Sequence, residues 1–202
     1  MRKNSIQKDI KNAGFTIIET LVAITILMIA IAGPLTVAEK GLSASIYARD
    51  QLIGSYLAQD GMEYIKNVLD TDQLNSSNPV TITNPSDWWL VYQQGTDLAA
   101  MCGPNTPCTV DTIGGGVSAC GSSCPLYLTT CGYVQSSTVS GCTANSSSDT
   151  KNFTRTFYVQ PFSINGGSNN AANVVVSVTW PGDVTGGGGV SLEDTVFNTP
   201  LR

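Results

Sequence analysis

A single carboxylate interrupts the most apolar stretch of this sequence. Glu19 lies inside the run from Phe15 to Gly33, whose other 18 residues carry no charge. As a helix the run is about 28 Å long, close to the roughly 30 Å of a membrane's hydrocarbon core. A carboxylate at that depth costs about 2.5–3.5 kcal/mol, so we expect a positive partner. Cleavage between Gly14 and Phe15 would create one, because the new amine of a neighbouring molecule would lie at the depth of Glu19.

The residues before this run favour membrane insertion with the N-terminus inside. Four basic residues precede the run, Arg2, Lys3, Lys8 and Lys11, against one acidic residue, Asp9. The positive-inside rule then predicts a single-pass helix over 15–33 in the cytoplasmic membrane and export of everything downstream. A secretory signal peptide is the alternative, with a cleavage site at Ala30-Ile31-Ala32. Glu19 favours the membrane helix, because a disposable hydrophobic segment gains nothing from a charge.

The basic leader ends in a short pattern, Gly14-Phe15-Thr16-Ile17-Ile18-Glu19, followed by the apolar helix. This pattern resembles the cleavage signal of bacterial type IV pilins and pseudopilins, and the resemblance covers residues 1–70 or so. It implies that a prepilin peptidase removes residues 1–14 and methylates the new amine of Phe15. It also implies that Glu19 pairs with a neighbour's N-terminus during filament assembly. The expected partners are this peptidase, an inner-membrane assembly platform with its ATPase, other pilin subunits and, before assembly, membrane lipid.

All six cysteines fall in one stretch rich in Gly, Ser and Thr: Cys102, Cys108, Cys120, Cys124, Cys131 and Cys142. An even number in an exported segment predicts three disulfides, and fifteen pairings are open. Zinc is the alternative reading. Only Cys120 and Cys124 approach the spacing of a zinc pair, and the chain contains no histidine.

Two acidic pairs are candidate calcium ligands, Asp70 with Asp72 and Glu193 with Asp194. Neither pair lies in a loop with the alternating oxygen ligands of a known calcium motif. We therefore expect no cofactor, with calcium at one of these pairs as the less favoured alternative.

The order of the elements predicts an α+β fold. Beyond the membrane helix, an amphipathic helix is predicted over 34–70, with its apolar side on a sheet; its apolar residues are Leu42, Ile46, Ile53, Leu57, Tyr64 and Val68. Between the two halves, Gly33-Pro34 predicts a kink or local melting.

Residues 71–202 are predicted to form an exported, β-rich domain. Thr154–Phe162, Asn173–Trp180 and Gly189–Phe197 predict an antiparallel three-strand meander. Pro79–Thr83 predicts a short strand, and Trp88–Tyr92 a strand or a core plug. The cysteine-rich insertion, 95–148, is predicted to be loop-like, with a hairpin around Cys131 and a shape that depends on its disulfides.

Charge and composition exclude several classes of function. Without its leader the chain keeps 188 residues, with six basic and fourteen acidic side chains and a net charge of −8. Such a domain is a poor ligand for nucleic acid, because contacts to phosphate need Lys and Arg. The absence of His removes the usual base for nucleophilic hydrolysis, so we expect no enzymatic activity.

Two functions stay open at this point. The first is a structural subunit of a type IV pilus or a type II secretion-like pseudopilus, which ends in an extracellular or periplasmic filament. The second is a membrane-anchored binding or adhesion domain that does not polymerise. Glu19 favours the first, because a monomeric anchor has no use for it. Within the first, the mature length and the disulfide-rich insertion favour a minor subunit.

Overall fold

The computed structural model describes residues 14, 16–74, 90–92, 96–121, 124–135, 140–143, 152–164, 170–182 and 187–197. The strand predicted at Pro79–Thr83 lies outside these residues, as does the start of the segment Trp88–Tyr92. The chain divides into two compact units, Met1–Ser45 and Ile46–Arg202.

The N-terminal element is one long α-helix, α1, which runs from Ile17 to Leu74. Local melting at Gly33-Pro34 is not seen, because both residues are helical and Pro34 lies inside α1. Proline has no N–H, so the helix loses the single hydrogen bond that Pro34 would have donated four residues back. A long apolar helix tolerates the loss of one bond.

A five-stranded antiparallel sheet forms the centre of the second unit. Its spatial order is β4-β3-β7-β8-β9. The three long strands are β7 (Thr154–Phe162), β8 (Ala171–Trp180) and β9 (Gly188–Phe197), and they pair in sequence order as a meander. The α+β fold and the meander predicted from the sequence are therefore confirmed, with two strand starts moved by one or two residues.

The insertion contains more regular structure than predicted. It is preceded by β1 (Val91–Tyr92), which pairs with its first strand. Its own elements are β2 (Thr96–Asp97), α2 (Leu98–Met101), β3 (Cys108–Val110), β4 (Val117–Ala119), β5 (Tyr127–Thr129) and β6 (Gly132–Val134). The hairpin predicted around Cys131 is β5–β6. The loop-like description was wrong for β3 and β4, because β3 pairs with β7 and joins the main sheet. These strands have only three residues each, too few to show the alternation that identifies a strand.

The core lies between residues 57–69 of α1 and one face of the sheet. From the helix it receives Leu57, Ala58, Met62, Ile65 and Leu69; from the strands and the insertion it receives, among others, Phe157, Val159, Val174, Val176, Val178, Leu98 and Val110. Helix and sheet thus pack as the sequence predicts.

The buried side of α1 differs from the predicted one. Leu57 is buried, and Ile53, Tyr64 and Val68 are partly buried, but Leu42 and Ile46 are 66% and 41% exposed. Two glycines of α1 lie directly against large side chains of the sheet, Gly54 against Trp180 and Gly61 against Arg155. Ala58, between them in sequence, is fully buried. A search for large apolar residues does not find such positions.

Candidate functional site

The start of α1 places Glu19 in the first helical turn. Thr16 is the last residue before the helix, and its carbonyl accepts hydrogen bonds from the N–H groups of Glu19 (3.1 Å) and Thr20 (3.2 Å). The Thr16 hydroxyl oxygen also accepts from the Glu19 N–H, at 3.3 Å. The pattern Thr-x-x-Glu is that of a capping box, in which a helix's first free N–H groups are satisfied locally. An acidic residue here also lies at the positive end of the helix dipole.

Thr16 is a residue that the sequence reasoning missed. Its hydroxyl carries no charge, so it does not stand out in the sequence as a partner for Glu19. The Thr-x-x-Glu spacing before an apolar run is the signal that finds it.

The cleavage junction itself is described on one side only. Gly14 is exposed, and a β-carbon added there would meet nothing within 4 Å. Among the described residues, therefore, nothing near Gly14 requires a glycine at this position. Phe15 lies outside the described residues.

The apolar half of α1 is exposed, with no cover among the described residues of its own unit. Its exposed large side chains are Ile17, Ile18, Leu21, Val22, Ile24, Ile26, Leu27, Met28, Ile29, Ile31, Leu35, Val37 and Leu42. By length and composition, α1 is the helix among the described residues that is suited to cross a membrane. Such a surface is stable only in lipid or against other apolar helices.

Three threonines in this segment are compatible with a lipid environment. Their hydroxyls donate to backbone carbonyls one turn back: Thr20 to Ile17 and Thr25 to Val22, both at 2.8 Å, and Thr36 to Ala32 at 2.9 Å. A hydroxyl satisfied in this way needs no water, so these polar groups do not oppose burial.

Comparison with protein families decides what this N-terminus is. The family model described as "Prokaryotic N-terminal methylation motif" matches residues 10–33. The chain carries the prepilin signal of type IV pilins and pseudopilins. Neither the comparison with curated proteins nor that with solved structures found a match. The prepilin signal supports a pilin- or pseudopilin-type subunit, a structural protein processed by prepilin peptidase.

The second unit of this chain contains three disulfides. They join Cys102 to Cys108, Cys120 to Cys124 and Cys131 to Cys142, each pair a near neighbour in sequence. No cysteine of the chain is left free. Cys102 and Cys108 belong to the core, whereas Cys131 is exposed. The disulfides therefore fix local turns of the insertion and do not join distant elements.

A buried guanidinium lies where α1 meets the sheet. Arg155 is 0% exposed; it donates to the carbonyls of Leu57 (3.1 Å) and Val110 (2.7 Å) and to the Asp60 carboxylate (2.9 Å). Burial lowers the pKa of Arg155, and the hydrogen bond and charge of Asp60 oppose that shift. The cluster connects α1, β3 and β7. Its two terminal nitrogens donate to protein oxygens, whereas the buried Nε has no hydrogen-bond partner among the described residues. With both ends of the fork bound to α1 and β3, we interpret the cluster as structural.

The two residues of the acidic pair Glu193 and Asp194, considered for calcium, have different partners. Asp194 forms an ion pair with Lys66, which lowers the pKa of Asp194. Glu193 accepts a hydrogen bond from the Asn173 amide at 2.9 Å. Within the part of the chain that the structure describes, no three His, Cys, Asp or Glu residues are grouped so as to hold a metal.

Proposed function

We propose that this protein is a structural subunit of a type IV pilus or a type II secretion-like pseudopilus, and that it polymerises through the N-terminal half of α1. The observation that carries the proposal is the placement of Glu19. It occupies the first turn of an uncovered apolar helix and is four residues from the residue that prepilin cleavage would expose. A membrane anchor needs the apolar surface but not the carboxylate.

Assembly would proceed from the membrane. Prepilin peptidase would cut after Gly14 and methylate Phe15, with the N-terminus in the cytoplasm and the domain of residues 71–202 exported. An assembly platform would then extract the helix into a bundle, where the methylated amine of one copy neutralises Glu19 of the next. Such a buried pair fixes register more than it adds stability. The subunit works without a cofactor and without catalysis.

The finer assignment is to a minor subunit. The mature chain has 188 residues and carries an insertion stapled by three disulfides, which suits a specialised position better than the repeating wall of a filament. A membrane-anchored binding domain is the competing function, and it would leave Glu19 without a role.

The test is incorporation of Glu19→Ala into filaments in cells that make the other filament subunits. Removing the charge lowers the cost of insertion, so the variant should reach the membrane at least as well as wild type. The amount of the variant in sheared filaments should fall at least about tenfold, because the buried amine of the neighbouring copy loses its counter-ion. Glu63→Ala, an exposed carboxylate on the same helix, is the matched control and should assemble normally.

Two results would count against the proposal. Equal incorporation of Glu19→Ala and wild type would show that assembly does not depend on the proposed pairing of Glu19 with a neighbour's N-terminus. Absence of wild type from filaments, with normal membrane levels, would favour the anchored binding domain.

A further inference from the structure

Two charged residues lie just beyond the apolar run of α1. From Ile17 to Ser45 the chain has three ionisable side chains, Glu19, Glu39 and Lys40. Glu39 and Lys40 are both exposed in the helix. Neighbours in sequence do not face each other on a helix, so these two do not pair within one copy. The positions three and four residues away from each hold no ionisable residue either.

The helical geometry places these charges on either side of one narrow face. At 100° per residue, Glu39 and Lys40 lie about 50° to the left and right of a line through Thr36 and Ser43. Ala32 lies about 30° from that line. The Thr36 hydroxyl donates to the Ala32 carbonyl at 2.9 Å, so between residues 32 and 43 this face presents small groups and a satisfied hydroxyl. The exposed Ile29 borders it at the N-terminal end. Small residues allow another helix backbone to approach closely.

This arrangement is complementary to itself. If two parallel helices meet through this face about a two-fold axis, the left side of one lies opposite the right side of the other. Glu39 of each copy then lies opposite Lys40 of the other, offset by about 1.5 Å along the axis. Both charges are satisfied at once, without any change in the helix.

We propose that this face of α1 binds a second copy of the chain in the same membrane, through two reciprocal Glu39–Lys40 ion pairs. All copies anchored by the same signal share one orientation, so parallel contact is the geometry available to them. The inference rests on the proposed function only for this anchoring, not for polymerisation.

Charge explains why a second copy fits better than another occupant. The mature chain has a net charge of −8, so two copies repel unless their contact contains compensating charges. The Glu39–Lys40 face supplies equal numbers of both signs. An anionic lipid headgroup would satisfy Lys40 but would leave Glu39 beside a second negative charge.

The experiment is photo-crosslinking of the full chain in cells that make prepilin peptidase but no assembly platform. A benzophenone amino acid replaces Ala32, on the proposed contact face. The control replaces Ala38, which is also exposed and lies about 120° away around the helix. With otherwise wild-type chains, the benzophenone at position 32 should give a crosslinked dimer. The yield of that dimer should be at least severalfold lower from position 38.

Charge variants then test the pairing itself. Glu39→Lys alone and Lys40→Glu alone should each reduce the dimer about tenfold, because both pairs become repulsive. The double variant Glu39→Lys with Lys40→Glu should restore it. Differently tagged copies of the two single variants, made together, should crosslink to each other and not to themselves. Glu63→Lys, with the same change in net charge, should have no effect.

The inference fails if the single variants crosslink like wild type, or if neither the double variant nor the mixture of single variants recovers the dimer. It also fails if the benzophenone at position 32 captures another protein or lipid in place of the second copy. The crosslinking is done without an assembly platform, so its result does not depend on filament formation. If dimers form in this experiment but the wild-type chain is absent from sheared filaments, the filament function is wrong and the dimer contact stands.

Discussion

The indole ring of Trp180 fills the space that a side chain at Gly54 would need. A β-carbon built on Gly54 would lie 2.6 Å from the ring, closer than real contacts allow. On the other side the same ring contacts Gly188. Phe153 packs against it at 5.7 Å between ring centroids, and Trp180 is almost fully buried. The last residue of β8 thus fixes α1 against the sheet through two glycines.

Gly54→Ala should therefore destabilise the second unit despite the higher helix propensity of alanine. Overpacking of this kind costs about 1–3 kcal/mol, against a propensity gain of up to about 1 kcal/mol. Unfolding of the full chain in mild detergent, followed by tryptophan fluorescence, measures the difference. Gly41→Ala is the matched control, because that helical glycine has open space around it. Equal unfolding midpoints for the two variants would refute the close fit of Trp180.

Asp60→Ala should weaken the same interface by a different route. The variant leaves the buried Arg155 guanidinium without its carboxylate and also removes the acceptor of the Thr112 hydroxyl. Loss of a buried pair costs up to about 3–5 kcal/mol, but the Asp60 side chain is 51% exposed, so water screens it and about 1–2 kcal/mol is expected.

Chemical denaturation in detergent measures this loss, with Glu63→Ala as the control. Glu63 is exposed three residues further along α1, and its removal should change stability by less than about 0.5 kcal/mol. If Asp60→Ala lowers the free energy of unfolding no more than the control does, the buried Arg155 does not depend on the Asp60 carboxylate.

The three disulfides should be reduced in an order set by their exposure. Thiol–disulfide exchange requires that a thiolate reaches one of the sulfur atoms. Cys131 is exposed, whereas both Cys102 and Cys108 are 0% exposed, so the Cys131–Cys142 bond is more accessible than the Cys102–Cys108 bond. Under mild reductant, timed alkylation and mass spectrometry should find modified Cys131 and Cys142 first. The Cys102–Cys108 bond should resist until the domain unfolds. Early labelling of Cys102 would show that the core around it opens readily.

Long, strongly patterned segments were predictable from the sequence. The meander β7–β8–β9 follows from Val-rich alternation, and the membrane half of α1 follows from its unbroken apolar run. Glu19 was identifiable because a charge in such a run is costly. These features depend on local pattern alone, which a single sequence shows in full.

Features that depend on complementary shapes were not predictable. The helix residues against the sheet include Gly54 and Gly61, which look neutral until Trp180 and Arg155 are placed opposite them. The pairing of β3 with β7 is also set by tertiary contact, since three residues show no period. Disulfide connectivity depends on which turns close, and spacing alone left fifteen choices.

The mature N-terminus in the filament fraction is the most direct test of the proposed function. Cells that make prepilin peptidase and the other filament subunits are sheared, and the released protein is examined by intact mass and N-terminal sequencing. We predict a chain that begins at N-methylated Phe15, lacks residues 1–14 and is enriched in the sheared material. A chain that begins at Gly33, or an uncleaved chain that stays wholly in the membrane, would contradict it.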